Sequence, residues 1–230
     1  MILLSSSIIA QLMCLPLALA QDTYRLVSRA QNNTLSNQYT LTAYASHNTT
    51  LNGLKINWGG ALNLFQANVS TYCPFVGNQS SLCPNGTDTV FVGTLYPDSE
   101  VPGGQDLYVN VDGLISITVQ HSHSFPPGSW PEYYGWTWTP LLKPTGQTAK
   151  QLPGCPRNND LYNCDIPSGY FDFKAPNATR GGVMACPNEY NTNVTSVYAV
   201  TPEFNRTGCV ELVGMGTHNY TGPTPPVWSY

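Results

Sequence analysis

Hydrophobic and polar positions alternate in short runs along this chain, and no window holds apolar residues at the 3.6-residue period of a long helix. The clearest run is residues 105–119, Gln-Asp-Leu-Tyr-Val-Asn-Val-Asp-Gly-Leu-Ile-Ser-Ile-Thr-Val. Two β-rich segments flank an Asp-Gly turn signal, which predicts a hairpin. A two-residue loop at Asp112-Gly113 would set Val109 opposite Ser116 and Tyr108 opposite Ile117, mixing polar and apolar residues on both faces. A three-residue loop, Val111-Asp112-Gly113, gives Gly113 the left-handed position. It pairs Val109 with Ile115 and Leu107 with Ile117 on one face, and Tyr108 with Ser116 and Asn110 with Leu114 on the other. The second register yields one clean apolar face, so the hairpin is expected in that form, at the centre of an all-β domain.

Further strand-like runs fall at 39–46, 54–58, 61–68, 89–96, 136–142, 169–174, 183–186, 194–201 and 209–214, with Gly59-Gly60 marking a second hairpin candidate. Roughly ten short strands between Gly, Pro and Asn turns predict a single-domain β-sandwich or barrel over 39–216. The pairs Gly59-Gly60, Gly103-Gly104 and Gly181-Gly182 each precede an apolar strand, which leaves a β-trefoil as the alternative. Residues 124–167 are aromatic and Pro-rich, then polar, and read as a long excursion from the core clipped by a disulfide. Residues 21–38 read as a polar N-terminal arm and 217–230 as a Pro-rich tail.

The first twenty residues are apolar, carry no charge and end in Ala18-Leu19-Ala20 before polar Gln21-Asp22. That is a secretory signal peptide, too short and too broken by Ser and Pro16 for a membrane span. No hydrophobic tail of the GPI type follows Val227-Trp228-Ser229-Tyr230, so no membrane anchor is expected. Secretion changes how the cysteines are read. Cys14 leaves with the signal peptide, and Cys73, Cys83, Cys155, Cys164, Cys186 and Cys209 remain. Six cysteines in an oxidising compartment predict three disulfides with fifteen possible connectivities. Sequence proximity favours Cys73–Cys83, Cys155–Cys164 and Cys186–Cys209. Asn-x-Ser/Thr sequons at Asn32, Asn48, Asn68, Asn78, Asn85, Asn177, Asn193, Asn205 and Asn219 predict a glycoprotein.

With 10% charged residues and a net charge of −4, the chain has no basic run for nucleic acid. His121 and His123 would share one side of a continued strand, a spacing open to two metal ligands, but ordinary strand-end histidines fit as well. No metal and no cofactor is therefore assigned. Trp130, Tyr133, Tyr134, Trp136 and Trp138 could stack on sugar rings or fill a core. Hydrolysis would need a carboxylate pair, and no local signature selects two among the thirteen acids, which include Glu132, Asp172, Glu189 and Glu211. Catalytic residues are assigned to none of them.

Gln-Asp-Leu-Tyr-Val-Asn-Val-Asp-Gly at 105–113, Gly182-Val-Met-Ala-Cys-Pro187, the Val194–Val200 run and Gly208-Cys209 resemble the fungal cell wall protein PhiA group, also called secreted IgE-binding proteins. The likeness covers roughly 39–120 and 168–216 and is sharpest at Ala185-Cys186-Pro187 with Cys209. It implies a secreted β protein of filamentous fungi, associated with the wall and with asexual sporulation, with relatives known as allergens. It implies a Cys186–Cys209 bridge and no catalytic residues. The expected function is thus a glycosylated, non-enzymatic wall-associated protein with a structural or interaction role in wall and conidial development or host contact. Its partners would be wall polysaccharide, wall proteins or host proteins. A carbohydrate-binding protein using the aromatic excursion is the alternative, and a secreted glycoside hydrolase the second.

Overall fold

Strand β1 (Gln38–Tyr44) shows how the pattern becomes structure: its alternation buries Tyr39, Leu41 and Ala43 in the core. The computed structural model describes residues 35–142 and 151–230. The signal peptide, most of the N-terminal arm and the Asn32 sequon lie outside the described residues. After β1 come β2 (Lys55–Trp58), β3 (Leu62–Asn63), β4 (Val90–Val92), β5 (Tyr96–Pro97), β6 (Leu107–Val109) and β7 (Ile115–Ile117). Then follow β8 (Trp130–Pro131), β9 (Trp136–Pro140), β10 (Gly169–Phe173), β11 (Val183–Pro187), β12 (Thr195–Ala199), β13 (Val210–Leu212) and β14 (Gly214–Asn219). One 3-10 helix, Gly77–Leu82, buries none of its residues.

The main sheet runs β13-β11-β12-β3-β2-β1-β14-β10-β9, with β4 on β1 and β5 on β4. It curls into a half-barrel, which settles the choice among sandwich, barrel and trefoil in favour of an incomplete barrel. The sheet order carries no threefold repeat: the Gly-Gly pairs mark unrelated turns. Strand β1 lies at its middle, paired with β14 along its whole length and with β2 and β4 on its other edge.

The 105–119 hairpin has the three-residue loop. Leu107 pairs with Ile117, Tyr108 with Ser116 and Val109 with Ile115, and the Asn110 N–H reaches the Leu114 carbonyl at 2.9 Å. Gly113 has φ 95°. A Cβ there would also stand 2.2 Å from the Ala199 carbonyl oxygen, so glycine is demanded twice. The hairpin is not in the main sheet, however. With β8 it forms a second sheet, β7-β6-β8, whose Leu107, Val109 and Ile115 join the same core as the curled sheet. Its tip is pinned to the end of β12 and the residues after it: the Ala199 N–H donates to Gly113 O at 2.8 Å and Thr201 Oγ1 to Val111 O at 2.6 Å. Arg206 ties the same tip down, bonding Asp112 at 2.9 Å and also Glu189, with its guanidinium 5.1 Å from the Tyr198 ring centre.

Two expected appendages are built into the domain. Within 124–167, β9 pairs with β10 as the edge of the main sheet. The clipped segment straps β2: the Lys55 N–H donates to Leu161 O, and the Asn163 N–H to Gly53 O, both at 2.8 Å. The Pro-rich end is no tail, because β14 runs on to Asn219 and the residues beyond it return to the core. The N–H groups of Gly86, Glu100 and Val101 donate to the carbonyls of Pro226, Val227 and Trp228. Tyr230 exchanges two bonds with the buried Gln105, at 2.8 and 2.9 Å. Backbone satisfaction explains both, since a Pro-rich segment still carries carbonyls that need donors. Three disulfides close the structure: Cys73–Cys83, Cys155–Cys164 and Cys186–Cys209.

Candidate functional site

The small sheet gives the site its floor. Asp106, just ahead of β6, faces Thr118: its N–H takes Thr118 Oγ1 at 3.0 Å and its carbonyl takes the Thr118 N–H at 2.8 Å. Strand alternation then sets the Asp106 carboxylate on the side of Tyr108, away from the core-facing Leu107. Strand β7 stops at Ile117, and His121 lies at φ 61°, in a turn rather than a strand. The two histidines consequently part. His121 Nδ1 lies 3.0 Å from Pro102 O, while His123 Nδ1 lies 2.6 Å from Asp106 Oδ2. Among the described residues no group of three His, Cys, Asp or Glu is arranged to hold a metal ion.

Strand β8 adds the third member. Trp130 pairs with Val109 and Pro131 with Tyr108, and Glu132 follows at once. Glu132 is buried, and its Oε2 has no protein partner. Burial raises its carboxyl above the usual carboxylate range, Asp106 adds to the rise, and His123 works against it. The hydrogen bond to Asp106 is the main cause that holds His123 above its usual value, with Glu132 contributing through its charge. Tyr96 stands in the same field: burial, then Asp106 and Glu132, push its phenol up. Asp106, His123, Glu132 and Tyr96 therefore form one electrostatic cluster, drawn from four separate stretches of chain.

Residues 132–135 are also the link between the two sheets, since β8 belongs to the small sheet and β9 to the large one. The link turns on a bond from the Tyr134 N–H to Pro131 O at 2.9 Å. It sorts the five aromatic residues into two sets. Trp130 and Trp136 pack edge-on to Phe173, with centroids 6.3 and 5.0 Å away, and Trp138 donates through Nε1 to Thr217 Oγ1 at 3.2 Å. All three tryptophans pack against the core cluster. Tyr133 and Tyr134 stay outside, 64% and 51% exposed, with ring centroids 4.9 Å apart. Nearby on the outer face of the small sheet, Tyr108 meets Phe125 edge-on at 5.8 Å. The arrangement offers exposed rings beside buried acids and a histidine, a surface that can stack on an apolar face and accept hydrogen bonds.

The other acids named from sequence lie elsewhere: Glu189 pairs with Arg206, Asp172 caps the Phe173 N–H at 2.8 Å, and Glu211 is exposed on β13. Asp106 was missed. The signal was present in the hairpin register, which sets Asp106 opposite Thr118 and so beside the loop that carries His123. Of the described sequons, Asn68, Asn78, Asn85, Asn177, Asn193, Asn205 and Asn219 are exposed, whereas Asn48 is half-buried with Oδ1 accepting the N–H groups of Thr50 and Leu51.

Among the described residues no helix is long and apolar enough to cross a membrane. No family model and no solved structure matches the chain. Over 165 residues it is 32% identical to an uncharacterized secreted protein of Arthroderma benhamiae, an alignment that covers 70% of this chain and 69% of that one. Identity of that level over more than two thirds of both chains has one reading: the chain belongs to the family of secreted fungal proteins that includes this A. benhamiae protein.

Proposed function

We propose that the protein is a non-enzymatic glycoprotein of the fungal surface, seated at the cell wall, that contacts wall polysaccharide through Tyr133 and Tyr134. The observation that carries this reading is the sorting of the aromatic residues. Three tryptophans pack on the core, and two adjacent tyrosines remain exposed beside the Asp106–His123–Glu132 cluster. Pyranose rings present apolar C–H faces that suit Tyr rings. The likeness of residues 105–113 and 182–187 to the PhiA group supports the wall placement and a role in conidial development or host contact. The non-enzymatic reading draws on the burial of both carboxylates and on the bond that occupies Asp106.

Retention of the purified protein on chitin, β-glucan and cellulose tests the proposal. Binding to at least one polymer is expected, and the double variant Tyr133→Ala/Tyr134→Ala should elute freely while melting at the wild-type temperature. Absence of retention on all three would overturn it. A second reading, a glycoside hydrolase, draws on Glu132, a buried carboxyl held above its usual range next to a second acid. Release of reducing sugar from any of the polymers, abolished by Glu132→Gln, would replace the first reading with this one.

A further inference from the structure

A groove of about 320 Å³ opens at the far end of the main sheet from the tyrosine pair. Along β10, Phe173 pairs with Trp136 near the link, and Gly169 pairs with Thr217, beyond which lie Asn219 and the groove. Its lining combines hydroxyls, amides and one ion pair, Lys55 Nζ to Asp88 Oδ1 at 3.0 Å, with apolar surface that includes Pro223. Tyr220 also lines it, and the Tyr220 hydroxyl is buried without a protein partner. Its ring lies over Gly222, where a Cβ would meet the hydroxyl oxygen at 2.4 Å. An orphan hydroxyl at a polar groove calls for a partner that is itself rich in hydroxyl and amide groups.

Two sequon asparagines, Asn85 and Asn219, line this same groove, and both are exposed. Asn219 is the better placed. It is the last residue of β14, held in register by its pairing with Tyr39, and the next N–H, of Tyr220, donates to Gln38 O at 3.1 Å. As the end residue of the strand it is exposed, where His218 before it is buried. A saccharide attached here needs no affinity of its own to fill the groove, because tethering supplies a high effective concentration. One groove of this volume cannot also seat a second glycan core from Asn85.

We propose that the groove is the seat of an N-glycan on Asn219, whose protein-proximal N-acetyl amino sugar folds back onto Tyr220 and the Lys55–Asp88 pair. The attachment is a transfer from a polyprenyl-diphosphate-linked oligosaccharide: Nδ2 of Asn219 bonds to the sugar C1, the C1–O bond to diphosphate breaks, and Nδ2 gives up one proton. The glycan then acts as part of the fold, supplying the Tyr220 hydroxyl with the partner that the protein lacks. This proposal stands independently of polysaccharide binding.

The test is the full-length protein secreted from a fungal host. Glycopeptide mass spectrometry should find Asn219 occupied. Trimming the folded protein to a single protein-proximal sugar should leave the Tm and the rate of Tyr220 nitration unchanged. Thr221→Ala, which removes the sequon but keeps Asn219, should lower the Tm by about 2–4 °C and speed Tyr220 nitration, whereas Asn85→Gln should do neither. An unoccupied Asn219 would overturn the proposal, as would Thr221→Ala protein with wild-type Tm and nitration. Enzymatic removal of the whole glycan from folded wild-type protein gives the same readout should that variant fail to fold.

Discussion

Thr42 Oγ1 and His218 Nε2 lie 2.9 Å apart on the convex side of the paired strands β1 and β14, and both residues are buried. Burial drives the His218 imidazole down from 6.5 to about 4. The folded protein holds it neutral, while the unfolded chain takes up a proton as the pH falls below 6.5. Stability from this residue is complete above pH 6.5 and drains away down to about pH 4, on the order of 3 kcal/mol in total. Urea unfolding at a series of pH values should show this fall. His218→Gln, neutral throughout, should flatten it.

His123 works in the opposite sense. Its hydrogen bond to Asp106 raises it above 6.5, so its contribution is full below that value and is lost as the pH climbs through the raised one. An NMR titration should place His123 above 6.5. Asp106→Asn should bring it down, because the asparagine keeps the shape and loses the charge. A His123 midpoint unmoved by that substitution would remove the Asp106 account. Taken alone, the two histidines contribute most together near pH 6.5.

Gly113→Ala tests the hairpin. Holding a non-glycine residue at positive φ costs about 1–3 kcal/mol, and the new Cβ would also collide with the Ala199 carbonyl. The urea midpoint should fall accordingly, and an unchanged midpoint would contradict the register given for 105–119.

The tryptophans and tyrosines of the excursion should separate in a stability assay. Trp138→Ala removes packing on the core and a hydrogen bond to Thr217, and should cost about 2–3 kcal/mol, less than a wholly buried Trp. Tyr133→Ala, an exposed site, should change stability by less than about 0.5 kcal/mol. Equal effects would mean that the two sets are not divided as described.

Tyr230→Phe tests whether the C-terminal segment is part of the core. Tyr230 Oη bonds the carbonyls of Val90 and Asp98 and accepts the Val90 N–H at 2.9 Å. Leaving that N–H without its acceptor should cost about 1–3 kcal/mol, read as a lower Tm.

What could be read from sequence was local. Alternation and the Asp-Gly signal gave the 105–119 hairpin its register, because period-2 patterning permits only one with a clean apolar face. They could not say that the hairpin forms a sheet of its own, since that depends on which strands claim the edges of β6, and β8 is only two residues long. The His123–Asp106 pair was illegible for a related reason: the partners are 17 positions apart, and two strands, a turn and a loop lie between them. Composition misled at 217–230. Prolines read as a tail, yet a chain whose carbonyls accept from Gly86, Glu100 and Val101 is fixed by its backbone as well as by side chains such as Tyr230.

The pairing of β1 with β14 has a kinetic consequence. Leu41 and Thr217 are partners across most of the chain, so the middle strand of the main sheet waits for almost the last segment to be made before one edge is covered. Until then Tyr39, Leu41 and Ala43 sit on an apolar strand with one open edge. Contacts of such long sequence separation fold slowly, and open edges recruit other chains in the meantime. A protein built this way should depend on the folding assistance of the secretory lumen, and its yield should respond to chaperone supply more sharply than its final stability would indicate.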